Sequence, residues 1–247
     1  MNVLELKDVS KKFGEYTAVN KFSLSVKKGE LRCLLGPNGA GKTTCMDLIT
    51  GRQKITSGQV FFKGHDITRA HEHTIVRRGI GRKFQIPAVF QELSVLQNFE
   101  VARGRGKDPV ANMWSFGRPK SDARFEEIVE LTGLKNRLNF TAGLLSHGET
   151  QWLEIGMVLM QEPDLLLMDE PTAGMTERET EKTSEIFNRL KGDHALIVVE
   201  HDMSFVRQIA DVITVMHMGS LLAEGTITEI EENHRVREVY LGTEEGH

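Results

Sequence analysis

The sequence predicts an α/β fold: a core of parallel strands joined by crossover helices, with an antiparallel β part at its start and a helical region inserted in its middle. Three observations carry this reading. A compact apolar strand, ELRCLL (residues 30–35), runs directly into a glycine-rich loop and then a helix, TTCMDLIT, that stops at Gly51. Helical periodicity with few strand signals fills residues 86–162. After Pro163 the buried-strand pattern returns twice, as LLLMDEP and ALIVVEH, with a charged helix from Glu177 to Lys191 between them. Two apolar strands at that spacing pair in parallel, because a parallel connection needs a crossover of a dozen or more residues.

The elements follow in order. VLELKDVSKKF, a turn at Gly14, AVNKFSLSV and a turn at Lys27, Lys28 and Gly29 read as an antiparallel opening. A further hairpin, QVFFKG, ends at Gly64. With 247 residues the expectation is a single domain, 1–247. Its α/β core covers 1–85 and 163–219, and its helical subdomain covers 86–162. The last 28 residues, 220–247, hold seven Glu and two Arg and form an acidic tail, expected to be a solvated edge.

Composition excludes several classes. Apolar residues are 39% of the chain and charged residues 27%, the balance of a globular protein rather than a disordered or fibrous one. A formal charge of -4 argues against a nucleic-acid binder held by phosphate neutralisation, so no nucleic-acid partner is expected. Two cysteines, Cys33 and Cys45, are too few for a disulfide framework or a zinc site by themselves, which fits a reducing compartment. The N-terminal residues alternate apolar and charged side chains, unlike a signal peptide. Apolar runs such as LLLM (165–168) fall far short of the ~20 residues needed to cross a bilayer. Any membrane role is expected to come through a partner.

Two motifs point to nucleotide chemistry. GPNGAGKT satisfies the G-x-x-x-x-G-K-[ST] spacing, and Thr44 follows it. Gly36, Pro37, Asn38, Gly39, Ala40 and Gly41 would wrap phosphates with backbone N–H groups, Lys42 would meet the β and γ phosphates, and Thr43 would give its hydroxyl to Mg²⁺. The positive end of the following helix adds to the anion site. LLLMDEP delivers Asp169 and Glu170 at the C-terminal end of an apolar strand, where α/β sheets bind ligands. Asp169 would hold Mg²⁺, usually through water, and Glu170 would polarise an attacking water. The bland alternatives are a glycine turn with an exposed lysine and a helix cap.

Between these motifs lies LSHGETQ (145–151), which resembles the signature of the ATP-binding-cassette (ABC) family, usually written LSGGQ. The resemblance covers about the whole chain. It implies that Phe13 stacks on adenine, that Gln85 in GRKFQ is the glutamine-loop residue facing Mg²⁺ and the γ-phosphate, and that His201 after ALIVVE is the switch histidine. The P-loop NTPase core with an antiparallel β subdomain and a helical subdomain is the family's fold. The resemblance also implies that two cassettes face head to tail, with Ser146 and Gly148 of one bonding the γ-phosphate on the other. Taken without the family, Ser146 is equally a good N-cap. The sequence departs from the family at His147 and Glu149 in the signature and at Met175 in PTAGM, which bears on communication between the paired sites rather than on nucleotide binding.

Small-molecule kinases lack the signature and switch histidine, and the soluble members of DNA repair or translation carry second cassettes, zinc modules or coiled coils that 247 residues do not accommodate. RRGIGRKFQ, PTAGM and REVYLG resemble the branched-chain amino acid and amide import branch. Within it, ELRCLLGPNGAGKTTCMDLITG, GIGRKFQIPAVF and LSHGETQWLEIGM resemble urea importers, which implies import of urea or short-chain amides, with branched-chain amino acid import, and behind it a soluble non-transport cassette ATPase, as the alternatives. The resemblance implies ATP and Mg²⁺ as ligands, two membrane permease subunits, a second and different cassette, and indirectly a periplasmic or extracellular substrate-binding protein. The chain would work peripherally, on the cytoplasmic face of the inner membrane.

Weaker candidates have plainer explanations. His65, His71 and His73 lack the i, i+4 spacing of a helical zinc site and suit a solvated surface. Arg77, Arg78, Arg82 and Lys83 form a basic run that suits a solvated face or interdomain ion pairs. Cys45, on the first turn after the loop, sits where a thiol pKa can be lowered, though core packing is its default role. Trp152 is expected to pack. Residues Gln85, Ile86, Pro87, Ala88, Val89 and Phe90 form the expected docking segment for a permease helix.

Overall fold

A computed structural model describes residues 1–83, 89–103 and 123–241 of the chain. The strands β1 (Asn2–Phe13), β2 (Tyr16–Lys27), β4 (Ser57–Phe62) and β5 (His65–Asp66) build an antiparallel sheet in the order β2-β1-β4-β5. The second sheet holds β3 (Leu31–Leu35), β6 (Ile80–Lys83), β7 (Leu165–Asp169), β8 (Ala195–Val199), β9 (Val212–His217) and β10 (Ser220–Gly225) in the order β10-β9-β3-β8-β7-β6. Within it β3 pairs in parallel with β8 and β9, and β7 with β8, while β10 runs antiparallel to β9.

Every residue of β3, β7 and β8 is buried, which is why these strands are continuous apolar runs rather than alternating ones. Arg32 is the polar exception in β3. Its guanidinium, 4% exposed, is matched by Glu30 at 2.7 Å, Thr214 at 2.7 Å and the carboxylate of Glu224. The helix α1 (Lys42–Ile49) sends Cys45, Met46, Leu48 and Ile49 into one cluster with Leu4, Phe22 and Phe62 of the antiparallel sheet and Leu34, Leu167 and Ile197 of the other.

The remaining helices are α2 (Glu72–Arg77), α3 (Val95–Arg103), α4 (Ala123–Thr132), α5 (His147–Leu159), α6 (Glu177–Leu190), α7 (Met203–Ile209), α8 (Ile227–Glu232) and α9 (His234–Leu241). The chain divides into two compact units. One comprises 1–82, 164–171 and 187–247, the other 83–163 and 172–186.

The structure corrects the expected boundaries: Lys83 and Pro163, read at the ends of the α/β core segments, lie in the second unit, and two longer stretches also change place. Residues 172–186, read as part of the α/β core, belong with the helical unit, because Trp152 of α5 donates its indole N–H to Thr183 of α6 at 2.9 Å and the Lys182 ammonium lies 3.6 Å from the Trp152 ring centre. Residues 220–225, read as the start of a solvated tail, are an edge strand of the core sheet, paired antiparallel with β9, and their Glu224 reaches the buried Arg32. The acidic composition concealed one acid with a buried partner.

Candidate functional site

Register fixes the site. Leu34 of β3 lies opposite Val199 of β8, and Asp169 of β7 lies opposite the same Val199. The C-terminal ends of three adjacent parallel strands therefore coincide, and the segments that leave them, 36–43, 169–170 and 200–201, gather at one edge of the sheet. All lie in the first unit. That edge is where parallel sheets bind ligands.

The loop after β3 is held tightly to the sheet. Gly36 (φ 152°) and Gly41 (φ 101°) both take left-handed backbone. A Cβ on Gly36 would strike the Met216 carbonyl, and one on Gly41 would sit 2.5 Å from the Ala18 carbonyl, so both positions demand glycine. Lys42 turns back into the loop and donates to the carbonyls of Gly36 (2.6 Å) and Pro37 (3.1 Å). Burial lowers its pKa, opposed by the carboxylates of Glu170 and Asp169. Thr43 is exposed on the first turn of α1, with Thr44 half-buried beside it. Cys45 is not activated there: it is fully buried, and desolvation pushes its thiol up to about 12. Phe13, at the end of β1, is 44% exposed, with the Lys11 ammonium 4.6 Å from its ring centre.

Asp169 and Glu170 are adjacent but differ in environment. Asp169 is 3% exposed, and burial raises its pKa against the opposing pull of Arg82. Arg82, one of the four bases in the run read as a solvated face or interdomain ion pairs, is inside: its guanidinium donates to Asp47 of α1 at 2.6 Å and lies 3.7 Å from Asp169. Sequence reasoning missed this role. Glu170 adopts φ 45° and donates its N–H to the Val199 carbonyl at 2.9 Å. A non-glycine residue in left-handed backbone is strained, and here the backbone hydrogen bond holds it so that its carboxylate, 37% exposed, faces solvent. His201 Nδ1 lies 3.8 Å from that carboxylate on a side chain that is 70% exposed.

These groups can cradle phosphate, neutralise it with one lysine, and present a carboxylate to water. The donors for a divalent cation are one buried carboxylate, Asp169, and one hydroxyl, Thr43. Among the described residues no cluster of three or more His, Cys, Asp or Glu forms a closed cage. An open set of hard oxygen donors fits Mg²⁺, which keeps several waters and takes the rest of its ligands from phosphates.

The signature residues lie in the second unit. Ser146 N-caps α5: its hydroxyl accepts from the Glu149 N–H (3.1 Å), and the Glu149 carboxylate accepts from the Ser146 N–H (3.0 Å), closing a capping box. Glu149 also pairs with Arg137 at 2.9 Å, so a glutamate where the LSGGQ signature it resembles has glutamine keeps the cap and adds an ion pair. His147 donates through Nε2 to the Ala173 carbonyl at 2.9 Å. Met175 accepts a hydrogen bond from Thr183 at its sulfur, 3.3 Å away. The Gly148 N–H and the Ser146 hydroxyl both donate to Glu179, a residue the motif reading passed over.

Gln85 and residues 86–88 of the expected docking segment lie outside the described residues. Val89 is half-buried and Phe90 is 51% exposed. His65, His71 and His73 are exposed, with the rings of His71 and His73 stacked 5.7 Å apart.

Comparison with known proteins gives consistent results. The family model described as ABC transporter matches residues 19–173. The high-affinity branched-chain amino acid transport ATP-binding protein BraF of Pseudomonas aeruginosa is 34% identical over 97% of this chain and 98% of its own length. A probable branched-chain amino acid transport ATP-binding protein, LivG of Archaeoglobus fulgidus, is 35% identical over 99% of this chain and 97% of its own. The ADP conformation of MJ1267, an ATP-binding cassette of an ABC transporter, superposes with a TM-score of 0.84 at 32% identity, over 98% of this chain and 99% of that one. A dimeric post-hydrolysis state of the cassette MJ0796, bound to ADP and phosphate, matches with a TM-score of 0.74 at 25% identity, over 91% and 98%.

Proposed function

The chain belongs to the ABC transporter ATPase family, whose members couple ATP hydrolysis to transport, and from that premise we propose that it is the ATP-binding subunit of an importer for branched-chain amino acids. The observation that carries the solute class is the likeness, over nearly the full length of both chains, to relatives named for branched-chain amino acid transport. Urea, suggested by three stretches of sequence, finds no support in those names.

Each described site residue is given a role that its position supports, and Gln85 keeps the role that the resemblance implies. Gly36, Pro37, Asn38, Gly39, Ala40, Gly41 and Thr44 line the phosphate loop, and Phe13 offers an exposed ring to adenine. Lys42 leaves the two loop carbonyls for the β and γ phosphates, a better partner for an ammonium than neutral oxygens. Glu170 orients and polarises the attacking water, and His201 beside it engages the γ-phosphate. Mg²⁺, when bound, neutralises phosphate charge, and Asp169, Thr43 and Gln85 would hold it. Ser146 and Gly148 serve the nucleotide on an opposing cassette, a pairing supported by the dimeric ADP and phosphate state of MJ0796.

Among the described residues no helix is long and apolar enough to cross a membrane. Two membrane permease subunits, a second cassette and, indirectly, a substrate-binding protein would complete the importer. The chain would sit at the cytoplasmic face. Uptake of labelled leucine and of labelled urea in cells with and without this chain tests the reading. Loss of leucine uptake with urea uptake intact is the expected outcome. Loss of urea uptake alone would overturn the solute class, and loss of neither would overturn the importer assignment.

A further inference from the structure

The signature groups of this chain are already engaged by an anion of its own. One carboxylate oxygen of Glu179 accepts from the Ser146 hydroxyl at 3.2 Å and from the Gly148 N–H at 3.2 Å, both in the second unit. The other accepts from the N–H and hydroxyl of Thr176, each at 3.0 Å. A Cβ on Gly148 would strike this carboxylate, so the signature glycine is what lets it approach. Hydrogen bonds from Thr176 first, then from Ser146 and Gly148, hold the Glu179 carboxyl below its ordinary range, so it is an anion at neutral pH. Helix α6 could be capped by Thr176 and Glu179 alone. The reach to Ser146 and Gly148 is additional.

We propose that Glu179 is a resident anion of the signature, filling the hydrogen-bonding positions that the γ-phosphate of the opposing cassette's ATP must take, and that its displacement sets the ATP concentration at which the paired sites close. This rests on the paired-site reading of Ser146 and Gly148 given above. A charged acceptor makes hydrogen bonds roughly twice as strong as a neutral one, so removing the charge while keeping the shape should ease the exchange. The lysine, carboxylates and histidine of the sheet edge are untouched by such a change.

The test uses the whole transporter, purified with this chain in place, and follows hydrolysis against ATP concentration. Glu179→Gln should lower the half-saturating ATP concentration about fivefold while the maximal rate changes by less than about twofold. Glu179→Asp, which keeps the charge but falls one methylene short of Ser146 and Gly148, should shift it in the same direction. If Glu179 only caps α6, the melting temperature falls and half-saturation stays at the parent value, which overturns the proposal. A raised half-saturation overturns it as well, since Glu179 would then be helping the phosphate. Ser146→Ala separates the two levels: it should raise half-saturation. If it leaves the curve unmoved, the paired-site reading fails and the proposal with it. If it raises half-saturation while both Glu179 variants match the parent, only the role of Glu179 fails.

Discussion

Asp169 and Glu170 are neighbours in sequence, yet one is buried and the other faces solvent, and that difference sorts their chemistry. A carboxyl whose pKa is raised on folding contributes stability below its unfolded pKa and loses that contribution as pH rises through the folded one. Asp169 is such a group, so its ionised form burdens the nucleotide-free protein at neutral pH, and Arg82 offsets part of that burden. Asp169→Asn should therefore raise the melting temperature of the nucleotide-free protein at pH 7, with the gain shrinking as pH falls into the carboxylate range. A lower melting temperature at pH 7 would mean that the ion pair with Arg82 outweighs burial. The two acids were legible in LLLMDEP because their placement is local, at the end of a strand. Arg82 was not, since its partners Asp47 and Asp169 come from distant parts of the chain, and a run of bases cannot say which members a strand turns inward.

At the scale of elements, periodicity recovered the strands whose every residue is buried and the helix that follows the phosphate loop. It missed what side-chain pairing decides. Helix α6 is strongly charged along its surface, and it is the hydrogen bonds donated by Trp152 and Gly148 of α5 to Thr183 and Glu179, with Lys182 over the Trp152 ring, that show its first turns belong with the helical unit. The same holds for Lys83 at the end of β6, 3% exposed and 3.7 Å from Glu154 of α5, which is 5% exposed. Removing one partner of a buried ion pair leaves a charge uncompensated, whereas replacing both with apolar side chains does not. Lys83→Met should lower stability in denaturant unfolding, and a double-mutant cycle with Glu154→Leu should show a coupling of about 0.5–3 kcal/mol between the two side chains. Equal losses in the single and double variants would show that the pair contributes packing rather than charge balance.

Across the whole molecule, the chemistry is divided between the two compact units: the loop, both acids and His201 in one, the signature residues in the other. The sequence shows both sets because each is a short contiguous motif on a strand end or a helix start, and their division between the units follows from where the chain leaves the sheet and returns at Asp164. The solute was not legible in the same way, since no motif here contacts it. What unites the molecule is the coincidence of three strand ends, which places a strained glutamate beside a phosphate loop. The measurement that tests this most directly is ATP binding and turnover by Glu170→Gln against the parent protein. An amide keeps the shape and hydrogen bonding of the side chain while losing the carboxylate that polarises water, so binding should stay at the parent affinity and turnover should fall by at least ~100-fold. Turnover at the parent rate with binding intact would contradict the account.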